Sequence, residues 1–137
     1  MTAGKPGAVA LGDRPGWRVV TVSLAAAVLL EAAFAGVMLS GAGWARGAHA
    51  AMAVVLVAAT LAAGATALVA LRRVAHGPKL GWSLLSLAAV MFVQGGLGAL
   101  TAKGANLTWL HVPLGAALVG FAVYVAMVAR RLGGNDA

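Results

Sequence analysis

The chain contains no cysteine, three acidic residues and four prolines among 137 residues. The missing cysteine removes disulfides, thiolate metal sites, iron–sulfur ligation and quinone-linked thiol chemistry together. Charge is scarce too: 9% of the residues are charged and 62% are hydrophobic. A soluble domain is about half apolar and roughly a quarter charged. Such a chain has too little polar surface to cover itself in water, and it belongs in a membrane.

What is present is four long, almost uncharged runs, at about 19–40, 50–71, 80–102 and 108–129. Each is close to the roughly 20 residues that a helix needs to cross the hydrocarbon core. The runs are continuous and lack the alternation of a barrel wall, so helices are expected and strands are not. The expected fold class is an all-α membrane protein, a four-transmembrane-helix bundle running up-down-up-down. Its membrane domain spans residues 18–131, between an N-terminal segment 1–17 and a tail 132–137. The first 17 residues hold no apolar stretch of the signal-peptide kind, so the first run is expected to remain as a span.

Basic residues set the expected orientation. Lys5, Arg14 and Arg18 precede the first run, Arg72, Arg73 and Lys79 separate the second from the third, and Arg130 and Arg131 follow the fourth. Only Arg46 and Lys103 fall on the other side. This bias predicts a multi-pass protein of a bacterial-type plasma membrane with both termini cytoplasmic. The net charge of +7 then reads as topology and attraction to anionic membrane lipid. Nucleic acid is not an expected partner, because the charges flank spans and form no continuous patch.

The two halves of the chain match in kind. A shift of 63 residues brings Glu31 onto Gln94 and Ser40–Gly43 onto Lys103–Asn106; one residue is then lost, and His49 falls on His111. Gly16-Trp17 recurs as Gly81-Trp82, and basic pairs Arg72-Arg73 and Arg130-Arg131 end the second and fourth runs. Two repeated helical hairpins would share one orientation, related by a pseudo-twofold along the membrane normal. In a sequential bundle the second and fourth spans are diagonal, so His49 and His111 would face each other at matching depth near the outer face.

Two imidazoles on facing helices are what a six-coordinate haem needs, one for each side of the iron. Four residues after each histidine stands a small residue, Ala53 and Gly115, leaving a gap for a flat macrocycle. Arg46, Lys103, Trp44 and Trp109 are the candidate partners for its propionates at the outer rim. The expected cofactor is a b-type haem, with iron held by His49 and His111. A plainer account also fits: histidines at the start of a membrane helix often sit among lipid headgroups, and small residues four apart are common packing contacts. Zinc is disfavoured, because two histidines lack a cysteine and the nearest membrane carboxylate is 18 positions away. His76, among Arg72, Arg73 and Lys79, reads as a solvated loop residue.

Glu31 lies about nine residues, or ~13 Å, inside the outer end of the first run. A carboxylate at that depth costs several kcal/mol unless protonated, paired or wet, which makes it a functional candidate. Its repeat partner Gln94 is a neutral isostere. A hydrogen bond between the two across the pseudo-twofold is expected, with Glu31 carrying its proton and serving either proton handling or structure. Thr60, Ser83, Ser86 and Thr101 add small donors for helix packing.

The stretch FVQGGLGALTAKGANLTWLHVPLGAAL, and in plan the stretch ending RGAHAAMAVVL, resemble the haem A synthase family. There a Q-x-x-L-G-type helix end and a short outer loop lead to a helix whose histidine ligates haem. Members are commonly eight-helix proteins made of two four-helix halves, and this chain would correspond to one half, about 19–131. The resemblance implies haem ligation by His49 and His111. It does not carry over oxidation of a haem methyl group. The glutamate that precedes the histidine by three residues in the catalytic half is Arg46 here, the basic residue that often follows is Ala50, and the outer-loop cysteine pair is missing. The chain therefore looks like the cofactor-holding half, with a homodimer as one way to rebuild an eight-helix assembly.

Three functions follow as expectations. The first is a small haem protein for electron transfer or haem handling, acting alone or beside a larger membrane oxidoreductase. The second is a proton-coupled transporter like the small multidrug resistance proteins, built on Glu31; the 6% aromatic content and the charge bias both argue against it. The third is a non-catalytic membrane subunit that packs a larger complex, for which Gly95, Gly96 and Gly98 suit a close helix contact.

Overall fold

A computed structural model of the chain describes residues 14–132. Most of the expected N-terminal segment and C-terminal tail, residues 1–13 and 133–137, lies outside the described residues. Those described form four helices and no strand: α1 Arg14–Leu39, α2 Gly43–Ala70, α3 Gly77–Ala102 and α4 Thr108–Arg130. Every helix is long and apolar enough to cross a membrane, as a chain without water must satisfy its backbone polar groups within each helix.

α3 and α4 contain the expected runs and extend them by one to three residues, and α1 begins five residues before its expected run and ends one residue short of it. The second differs. α2 starts at Gly43, seven residues before the expected boundary at 50. Arg46 lies within the added stretch, where an arginine in the first turn of a helix keeps its guanidinium in water on a long apolar stem. Arg46 is exposed, and nothing in Gly43-Trp44-Ala45 breaks a helix. His76 also differs from expectation: it is half-buried and caps α3 in a left-handed conformation with φ 62°.

The helices form a ring of contacts in which α2 packs against α1 and α3, and α4 packs against α1 and α3. The backbones of α1 and α3, and those of α2 and α4, do not approach each other closely, so each of these pairs is diagonal. The core is densest where the start of α3 meets the later turns of α2 and α4. Leu80, Leu84, Leu87, Val125, Thr21 and Thr60 are its largest fully buried side chains. Hydroxyls bond to carbonyls one turn earlier: buried Thr21 donates to Trp17 at 2.9 Å, half-buried Thr101 to Leu97 at 2.8 Å, and exposed Ser40, just past α1, to Gly36 at 3.0 Å. Outward, each helix shows large apolar side chains, among them Val19, Val54, Phe92 and Val123. Lipid is the solvent such a surface fits.

Two glycines allow the tight α2–α3 contact. A Cβ on Gly64 would come within 2.8 Å of Leu85 Cδ2 and 3.0 Å of the Leu85 backbone N. A Cβ on Gly81 would stand 2.6 Å from Leu68 Cδ2 and 3.0 Å from the Leu68 backbone N. A leucine of each helix therefore rests on a glycine of the other, the close approach that small residues permit in membranes. Replacing Gly64 or Gly81 by valine is expected to cost about 1–3 kcal/mol by overpacking, read as an earlier thermal unfolding in lipid nanodiscs. Gly120→Ala, whose added methyl would meet nothing within 4 Å, is the control and should leave the transition in place.

Candidate functional site

The end of the bundle away from that core gathers the polar side chains. His49 sits in the second turn of α2 and His111 in the first turn of α4. Their rings lie with centroids 6.3 Å apart and planes at 88°, so the two diagonal helices do bring the two histidines together. Glu31 of α1 joins them. His49 Nδ1 is 3.0 Å from Glu31 Oε1 and 3.4 Å from the Glu31 backbone carbonyl oxygen. The ring nitrogen meets hydrogen-bonding geometry with the carbonyl, and the carboxylate stands against the ring beside it.

The tautomer of His49 follows from these partners. The Glu31 backbone carbonyl oxygen can only accept, so a neutral His49 ring bonded to it carries its proton on Nδ1 and presents the Nε2 lone pair. The His49 side chain is 21% exposed and that of Glu31 14%.

The pairing expected between Glu31 and Gln94 is replaced by two separate contacts, one in each hairpin. Glu31 turns to His49, and Gln94 Nε2 donates to the His111 backbone carbonyl at 2.7 Å. Helices α1 and α3 are diagonal, and each polar side chain finds its partner on the neighbouring helix instead. The sequence separation that had argued against a shared site is bridged as well. Glu31 lies eight residues before the end of α1 and His49 six residues after the start of α2, and these offsets set them at similar depth on either side of a short turn.

Two glycines shape the site. A Cβ on Gly98 would come within 2.9 Å of His111 Cε1, so this glycine is the seat of the ring on α3. A Cβ on Gly115 would lie 2.9 Å from Gln94 Nε2; the gap expected there for a flat macrocycle is filled by the glutamine amide. Ala53 is half-buried on α2. Pro113, inside α4, has no N–H to give to the carbonyl of Trp109 one turn earlier.

The rim candidates stay at the surface. Trp44 is 66% and Trp109 69% exposed, Trp44 meeting Phe34 edge-on with centroids 6.2 Å apart. Arg46 and Lys103 are exposed too. Neither the tryptophans nor these cations are drawn onto the histidines.

Four buried side-chain atoms lack a hydrogen-bond partner among the described residues: both Glu31 carboxyl oxygens, Gln94 Oε1 and His111 Nδ1. All belong to this one cluster. Native interiors leave few such atoms, and each calls for an explanation such as a proton, a water or a ligand. No group of three or more His, Cys, Asp or Glu is arranged to hold a metal ion by itself among the described residues. Comparison with known protein families, with curated proteins and with solved structures gives no match to this chain.

With 15N in its histidine rings, the protein in lipid is expected to show His49 protonated at Nδ1 and bare at Nε2. A spectrum with the proton on Nε2 would break the assignment made from the Glu31 contacts.

Proposed function

We propose that this protein holds a b-type haem between His49 and His111 and serves electron transfer or haem handling in a membrane. The observation that carries the proposal is the facing pair of imidazoles on diagonal helices, set in a cluster of unpartnered polar atoms. Two imidazoles on opposite sides of one metal ion, with bonds of about 2 Å, have ring centroids about 6 Å apart; here the separation is 6.3 Å. Metal-ligating histidines almost always give their other N–H to a carboxylate or a carbonyl. Glu31 supplies both to His49 Nδ1. The donor set fits the group.

His49 and His111 would hold the iron, and Glu31 would fix the ring of His49 with Nε2 turned to the ligand. Gln94 would hold the first turn of α4, and hence His111, by its bond to the backbone. Arg46, Lys103, Trp44 and Trp109, at helix ends, are within the reach of long side chains for propionates at the rim. Bound from both sides, the haem supplies a one-electron carrier with no open position for substrate.

The bundle would run up-down-up-down as two repeated hairpins. The equivalent contacts Glu31–His49 and Gln94–His111 support this reading, as does a tryptophan near the start of every helix, Trp17, Trp44, Trp82 and Trp109. Such rings mark both membrane interfaces. The excess of Lys and Arg at one end would place both termini in the cytoplasm of a bacterial-type cell. The resemblance to one half of a haem A synthase agrees with the histidine pair and with a cofactor-holding role. Gly95 and Gly96, where a Cβ would meet nothing within 4 Å, offer α3 as a contact face for a second copy or a larger oxidoreductase.

The half-buried contact of a carboxyl group and an imidazole, 3.0 Å apart between two apolar helices, favours one other reading, a proton-coupled transporter in which Glu31 and His49 exchange the proton.

Visible spectra of the purified protein, oxidised and dithionite-reduced, separate the two. The haem reading predicts low-spin b-type bands that are lost or turn high-spin in His49→Ala and in His111→Ala. A colourless protein that drives proton-coupled uptake, abolished in Glu31→Gln, would replace it with the transporter.

A further inference from the structure

At the opposite end of the bundle, α1 and α4 leave a groove of 610 Å³ lined by Arg18, Val19, Val22, Ser23 and Arg130. It is a shallow, open groove whose lining combines two arginines with two valines. Val19 and Val22 are exposed at 64% and 49%, on a surface that faces lipid. Arg18 donates from Nη2 to the Arg130 backbone carbonyl at 3.1 Å. That carbonyl is among the last of α4, which have no partner within the helix. The bond takes one of five guanidinium N–H donors, which leaves Arg18 further donors beside the groove it lines.

We propose that this α1–α4 groove binds one anionic phospholipid, its headgroup phosphate held by Arg18 and Arg130 and an acyl chain lying on Val19 and Val22. Charge selects the ligand. Two arginines and no acidic residue line the groove, and the one acid among the described residues, Glu31, belongs to the histidine cluster. A guanidinium fork matches phosphate oxygens in a bidentate manner. Ser23 adds a hydroxyl donor in the lining. Basic pockets between membrane helices are the kind of site that takes an anionic headgroup. A helix-end carbonyl holds Arg18 in advance, so little side-chain freedom is lost on binding.

The test is native mass spectrometry of the whole protein, equilibrated with equimolar phosphatidylglycerol and phosphatidylcholine and released from micelles. The wild type is expected to keep one phosphatidylglycerol in preference to phosphatidylcholine. Arg18→Gln with Arg130→Gln should weaken that retention by about tenfold or more, while Arg72→Gln with Arg73→Gln, which removes the same charge elsewhere, should leave it intact. Val22→Trp fills the groove without changing charge and should weaken retention too, so a folding defect in the arginine variant would not decide the matter. Equal loss in both arginine pairs would reduce the effect to general surface charge and overturn the proposal. So would an unchanged Val22→Trp, or a wild type with no preference for the anionic lipid.

Discussion

In hydrocarbon a polar side chain has no water to fall back on, and its partner has to come from a neighbouring helix. The contact of Glu31 with His49, 3.0 Å apart, answers that constraint in the first hairpin. It requires α2 to begin far enough before the histidine to bring the ring down beside the carboxyl group. The early start at Gly43 provides that depth. In the second hairpin Gln94 does the equivalent work through the His111 backbone. Once both contacts are in place, the imidazoles face each other across the diagonal, and the remaining polar atoms of the cluster point where no protein group answers them.

Packing is divided between the two ends. Around the 71–76 turn, Gly64 and Gly81 let α2 and α3 interlock with Leu85 and Leu68, and Leu80, Leu84 and Leu87 fill the space behind them. Interiors packed in this way resist change by even a methylene. At the histidine end the seats are made by glycine as well, but they hold polar groups: Gly98 under His111, and Gly115 under the Gln94 amide. A tightly packed apolar half thus carries a half held by polar contacts.

Much of this was legible in the sequence, and the failures have one source. Four uncharged runs gave four helices, since no other element of that length can span a membrane. His49 and His111 were expected to face each other from their matching places in the two halves of the sequence, and their rings do lie 6.3 Å apart on diagonal helices. The polar pairing was misread. The second run was expected to begin at 50, which put His49 near the outer face and Glu31 deep below it, whereas the helix begins seven residues earlier and carries Arg46 exposed in its first turn. With the true start at Gly43, the two residues fall at one depth and Glu31 turns to His49 rather than to Gln94. The role of Gly98 had no signal of its own, because a glycine that seats a ring on another helix looks in sequence like any glycine of a small-residue face.

The central claim is that one chain supplies both ligands of one haem, and titration of the haem-free protein with haemin in lipid nanodiscs measures it directly. The account predicts a sharp endpoint at one haemin per chain with a low-spin spectrum throughout. A titration with no endpoint, or an endpoint at one haemin for every two chains, would contradict it.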